Sequence, residues 1–238
     1  MAHKELLAIF NAALDAVDPY NAVLKAASVE NLQLHIAGVT YELKSFKRII
    51  VVGAGKATAR MALAIEALLT DHIDAGLIVV KDGHKEKLTV IEQVESSHPV
   101  PGEAGVAATK RIVEMMRAAD DDTLVICLLS GGASALLVAP VEGLTLHDKQ
   151  EVTRMLLNAG ASINELNAVR KHLSLVKGGR LAQAAYPAQL VTLIVSDVIG
   201  DPLDVIASGP IAADNSTYAE AWAVIENMNC RKKLRKVL

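Results

Sequence analysis

Arg48-Ile49-Ile50-Val51-Val52-Gly53-Ala54-Gly55-Lys56 is the stretch that decides the fold. Ile49 to Val52 run apolar without alternation, so the strand they form is covered on both faces. Two glycines then turn the chain into a helix that continues to about Leu69. The same pattern repeats downstream at Gly76 to Val80, Val90 to Glu95, Leu124 to Leu129 and Leu190 to Ser196, the last ending at Asp197. Between these strands lie a helix from about Glu103 to Arg117 and a helical region over residues 147 to 186, where Ser162-Ile163-Asn164-Glu165 is a capping box. Such strands alternating with helices predict an α/β domain: a doubly wound, mainly parallel sheet with helices on both faces, the Rossmann-like three-layer α/β/α arrangement.

Upstream, Leu6, Leu7, Phe10, Leu14 and Val17 share one face of a helix, and Asp18-Pro19 restarts another with Asp as cap and Pro at its first position. Leu32 to Ile36 and Val39 to Leu43 read as a hairpin around Gly38. No repeat or low-complexity linker divides the chain, so residues 1–238 are expected to form one domain.

Composition narrows the function. With 24 Lys plus Arg against 27 Asp plus Glu, the net charge is −3, which lacks the basic footprint of a general nucleic-acid binder. Aromatics at 3% leave few platforms for exposed bases. Cys127 and Cys230 cannot build a disulfide framework, which fits a reducing, cytoplasmic setting. Met1 to Glu5 do not lead into the apolar region of a signal peptide. Leu124 to Val141 carries no charge, but Ser130-Gly131-Gly132 and Pro140 interrupt it, so a buried strand and turn are expected there rather than a membrane span. The basic run Arg231 to Lys236 reads as a solvated helix end.

In open parallel sheets, ligands sit beyond the carboxyl ends of the strands. Four loops there carry chemistry. After the first strand, Gly53 and Gly55 allow close backbone approach, the following helix offers free N–H groups, and Lys56 in its first turn suits a phosphate. The dinucleotide fingerprint fails because Thr58 replaces its third Gly, and the P-loop fails at Ile50 and Ala57. Ser130-Gly131-Gly132-Ala133-Ser134 is a candidate anion nest; Leu136 stands where a serine-hydrolase elbow needs Gly. Asp197 closes an apolar strand and suits one carboxylate ligand of magnesium. His98 and His84 each follow a strand, and Arg170, on a helix with Asn167 and Glu165, is either a carboxylate clamp or an ordinary ion-pair residue. A lysine, a glycine nest and a strand-end Asp suit stabilisation of a phosphoryl group more than covalent chemistry.

At these residues the sequence resembles the glycerate 2-kinase family, also labelled hydroxypyruvate reductase. The matching segments are Val52 to Ala57, Ser97-His98-Pro99-Val100-Pro101, Leu129 to Leu136, Asn167 to Ser174 with Lys177-Gly178-Gly179, and Ser196 to Asp201 with Ala207-Ser208-Gly209-Pro210. The resemblance implies transfer of the γ-phosphoryl group of ATP to the 2-hydroxyl of D-glycerate, with magnesium, by a Rossmann-like first domain facing a smaller second domain. Carried over by position, Lys56 is the active-site lysine and Asp197 the strand-end acid. Physical assignment adds Arg170 to the catalytic set, His98 beside Lys56 for the substrate, Gly53, Gly55, Ser130, Gly131, Gly132 and Ser134 for the nucleotide, and Asp197 for the metal. Leu238 follows soon after the last matching motif, and nothing resembles the family's second domain, so the expectation is its N-terminal domain alone, with little kinase activity. Two rival functions remain: an NAD-dependent hydroxypyruvate reductase, or a non-catalytic remnant that binds a small anion or pairs as a homodimer through an exposed apolar patch.

Overall fold

The computed structural model describes residues 2–228, so the basic run Arg231 to Lys236 and Cys230 lie outside the described residues. The chain opens with α1 (Ala2–Ala16) and α2 (Pro19–Ala26). Asp18 accepts the Asn21 N–H at 3.0 Å, with Pro19 at the first helical position, so cap and proline act as the sequence predicts. Leu6, Leu7, Phe10 and Leu14 of α1, and Val17 just after it, are all exposed; the periodicity forms a helix, but its apolar stripe is not part of the core. Next come β1 (Ala27–Glu30), β2 (Gln33–Ile36) and β3 (Val39–Glu42), an antiparallel sheet in the order β1-β2-β3. The expected hairpin is present and gains β1, which is too short to show a period in the sequence.

The central sheet begins with β4 (Arg48–Ala54), followed by α3 (Thr58–Leu69), β5 (Ala75–Lys81), β6 (Ile91–Ser96), α4 (Glu103–Arg117) and β7 (Thr123–Ser130). Then come α5 (Ala133–Leu136), α6 (Leu146–Asn158), α7 (Ile163–His172), α8 (Arg180–Ala185), β8 (Gln189–Val195) and α9 (Tyr218–Asn227). The order is β6-β5-β4-β7-β8 and every pair is parallel. The chain therefore builds outward from β4 twice, first to β5 and β6, then to β7 and β8. Loops leaving β4 and β7 diverge to opposite faces, and the crevice between them is where such folds place ligands.

Alternation along the central strands feeds two cores. Ile49, Val51, Ile78, Val80, Leu124 and Ile126 meet Met61, Ile65 and Leu69 of α3, with Leu34 and Ile36 of the small sheet behind them. Ile50, Val52, Leu77, Val79, Val125 and Cys127 meet Ile112 and Met116 of α4 and Leu181 of α8. A third cluster joins α6, α7 and α9 through Leu156, Leu166, Val169, Val224 and Ile225. The capping box expected at Ser162 and Glu165 starts α7. Leu124 to Leu129 are buried strand, and among the described residues no helix is long and apolar enough to cross a membrane.

One connection departs from strands alternating with helices: residues 82–90, between β5 and β6, hold none. Glu66 of α3, 6% exposed, serves instead. Its carboxylate accepts the N–H groups of Thr89, Val90 and Ile91 and the Thr89 hydroxyl at 2.7–3.0 Å. Burial alone would raise its pKa, but the Ile91, Thr89 and Val90 N–H bonds outweigh it and hold the carboxyl below its ordinary value.

Candidate active site

The ends of β4 and β7 are laced together. Lys56 donates its backbone N–H to the Gly131 carbonyl at 2.9 Å. The Ser130 hydroxyl accepts the Ala57 N–H at 3.0 Å and hydrogen-bonds the Thr58 hydroxyl at 3.0 Å. Such proximity needs glycine: a β-carbon on Gly53 would lie 2.2 Å from the Leu128 carbonyl oxygen, and one on Gly55, at φ 145°, would lie 2.0 Å from Ser130 Oγ. Both glycines are buried and serve this approach.

That lacing occupies the turn ahead of α3. The Gly131 carbonyl and the Ser130 hydroxyl take the amides of Lys56 and Ala57, and the Gly55 carbonyl takes that of Thr58. Inside α3, the amides of Ala59 and Arg60 have no acceptor among the described residues.

Open amides occur on the other side of the crevice. Among the described residues, the N–H groups of Gly132, Ala133 and Ser134 find no acceptor. Gly132 sits at φ 89°, and a β-carbon there would lie 3.1 Å from the His98 ring and 3.2 Å from Lys56 Cγ. The missing side chain therefore leaves room for His98 and Lys56 to converge. The Lys56 ammonium is exposed and has no ion pair or hydrogen bond with the described residues. His84 donates from Nδ1 to the Lys56 carbonyl at 2.9 Å, which ties the loop after β5 to the same place. Burial, then the charges of Lys56, Lys81 and His84, push the His98 pKa down, so its imidazole is neutral at neutral pH. Asp197, exposed beyond β8, sits over Gly131, whose β-carbon would lie 2.8 Å from Asp197 Oδ2. Lys56, His98 and Asp197 are thereby gathered around Gly131 and Gly132.

Among the described residues no three His, Cys, Asp or Glu side chains are grouped to hold a metal. Asp197 alone fits magnesium only as an ion held mainly by phosphate oxygens and water, which is how magnesium commonly binds with nucleotides.

A second group lies behind Ser134. Its hydroxyl is 2.9 Å from that of Ser208, which donates to Asn167 Oδ1 at 3.2 Å. Lys177, 1% exposed, donates to the Ser134 carbonyl and hydroxyl, both at 2.9 Å, and to the Ala207 carbonyl at 3.3 Å. In the sequence Lys177 stands out only within a segment that matches the family, since nothing in a Lys-Gly-Gly stretch signals burial. Arg170 belongs to this second group: its charge acts on Lys177 and Lys149, whereas those acting on His98 come from Lys56, Lys81 and His84. Of the two alternatives for Arg170, the ion pair is absent among the described residues.

Comparison with known proteins adds the following. Residues 5–238 match the family described as "Domain of unknown function (DUF4147)". A D-glycerate 2-kinase of Thermotoga maritima is 42% identical over 94% of this chain and 50% of its own length. An Agrobacterium vitis relative, provisionally named a hydroxypyruvate reductase, is 46% identical over 94% of this chain and 48% of its own. A crystal structure of a Pyrococcus horikoshii protein superimposes with a TM-score of 0.87 at 37% identity, over 98% of this chain and 52% of that one. The chain thus spans about half the length of the curated relatives it matches.

Proposed function

Because the chain belongs to the DUF4147 family, which includes glycerate 2-kinases, we propose that its residues form the nucleotide side of a site that moves the γ-phosphoryl group of ATP to the 2-hydroxyl of D-glycerate. The observation that carries this is the convergence of the Lys56 ammonium, the neutral His98 and Asp197 on a turn whose amides, like that ammonium, have no partner among the described residues. Phosphoryl transfer asks for positioning and charge stabilisation rather than covalent chemistry. Lys56 would sit against the transferring phosphoryl oxygens, and the Gly132, Ala133 and Ser134 amides would donate to phosphate oxygens. His98, neutral and beside Lys56, would accept the proton of the attacking hydroxyl. Asp197 would hold magnesium, which when bound neutralises phosphate charge. Removing one such donor typically costs about 10²–10³ in kcat.

A reductase fits less well, since Thr58 stands where the dinucleotide fingerprint needs its third glycine and the Lys56 and Ala57 amides of that turn are already bonded within the protein. Two parallel assays separate the readings: ADP release with ATP, magnesium and D-glycerate, and NADH oxidation with hydroxypyruvate. Because these residues span half the relatives' length, nucleotide binding by calorimetry accompanies turnover. The expected result is ATP-analogue binding that Lys56→Ala weakens, with no NADH oxidation; NADH turnover without nucleotide dependence overturns the proposal.

A further inference from the structure

The second group holds three cations to which the described residues give no counter-charge. Lys149 of α6 is 3% exposed and, among the described residues, donates only to the Leu173 carbonyl, at 3.0 Å. Lys177 is held by two carbonyls and a hydroxyl, all uncharged. Arg170 makes no hydrogen bond or ion pair with the described residues, and its Nε is buried without an acceptor.

The adjacent residue shows how this fold otherwise treats a buried cation. Lys171 is 4% exposed and stands between Asp204 at 3.5 Å and Asp214 at 3.2 Å. Arg180 spends its guanidinium on the carbonyls of Lys171 and Ser174 and on the Tyr218 hydroxyl. Electrostatics agree with the contact pattern. Burial first, then Arg170 and Arg180, brings Lys149 down to about 7; burial, then Arg170 and Lys149, brings Lys177 well below its ordinary value. Burial lowers Arg170 as well, and among the described residues no carboxylate offsets any of the three. An uncompensated buried charge is costly, and an arginine fork left without a partner matches a carboxylate or phosphate in shape and charge.

We propose that Arg170, flanked by Lys149 and Lys177, is an oxyanion subsite whose missing counter-charge is the carboxylate or phosphate group of a bound ligand. This rests on the function proposed above, in which the hydroxy acid brings a carboxylate and ATP brings phosphates. The subsite is coupled to the crevice by Lys177, which grips both the carbonyl and the hydroxyl of Ser134 at the end of the open-amide turn.

The test is titration of the 238-residue protein with D-glycerate, with the β,γ-imido analogue of ATP and with inorganic phosphate, followed by arginine Nε–H resonances and by calorimetry. The Arg170 Nε–H signal is expected to move with at least one of the three. A response to glycerate identifies the carboxylate as the source; a response to the ATP analogue or phosphate identifies a phosphate. Arg170→Gln should weaken that ligand at least tenfold, and Arg170→Lys, which keeps the charge and guards against a folding defect, should recover only part. The subsite is refuted when no ligand moves the signal, or when Arg170→Gln binds all three as tightly as the unmodified chain. Loss of nucleotide binding in Lys56→Ala is read separately, so a failure of the subsite is distinguishable from a failure of the proposed function.

Discussion

Lys56 and Lys177 stand at the two ends of one turn, Gly131 to Ser134, and the fold treats them in opposite ways. Lys177 is 1% exposed and its ammonium is spent on Ser134 and Ala207. The Lys56 side chain is exposed, its stem rests against Gly132, and among the described residues nothing pairs with its charge. One lysine is a strut that fixes where the turn lies; the other is a charge offered across it. On the proposed function, two side chains of the same type divide stability and ligand binding between them, and substitutions should separate the two roles.

The largest effect is expected where both depend on the same platform. Gly53→Ala drives a β-carbon to 2.2 Å from a backbone oxygen of β7, which neither strand can avoid. A loss of about 4 kcal/mol or more is expected in urea unfolding; a loss below about 1 kcal/mol would mean the two strand ends are not locked. Next is the strut. Lys177→Ala leaves the Ser134 and Ala207 carbonyls without their donor and opens a void, so unfolding should show a loss of about 2–3 kcal/mol. Lys56→Ala should do the reverse: stability within about 0.5 kcal/mol of the unmodified chain and affinity for the ATP analogue down by about tenfold or more, equivalent to about 1.4 kcal/mol. Equal effects of the two lysines on melting would erase the distinction.

The smallest effect is a gain. Lys149 has a folded pKa of about 7 against an ordinary value of 10.5. Between those values the unfolded chain holds the proton and the folded chain does not, so stability rises as pH climbs from 7 toward 10.5 and is lost as pH falls back toward 7. Lys149→Met removes that slope and should stabilise the protein at pH 7 by about 1 kcal/mol. Parallel stability curves for the two proteins across this range would show that Lys149 is not a buried, uncompensated cation.

The sheet was legible because Ile49 to Val52 and Leu124 to Leu129 are apolar on both faces and such runs alternate with helices, the combination that a covered parallel sheet produces. Residues Lys56, His98 and Asp197 were legible by position, since strand ends of a parallel sheet share one edge. Three things were not. Which amides stay open depends on Ser130 reaching the start of α3 from more than 70 residues away, a contact no local pattern encodes. Glu66 standing in for a helix between β5 and β6 is likewise long-range. The burial of Lys149 and Lys177 runs against hydropathy, which reads every lysine as surface. Conversely, the apolar stripe of α1 reads as core and lies exposed.

The most direct test follows backbone amide resonances as the ATP analogue and magnesium are added to the protein. The account predicts the largest changes at Gly132, Ala133 and Ser134, and small ones at Ala57, whose N–H remains bonded to Ser130. Large changes at Ala57 with a silent Gly132-Ala133-Ser134 would contradict it, because phosphate would then be meeting the start of α3 instead.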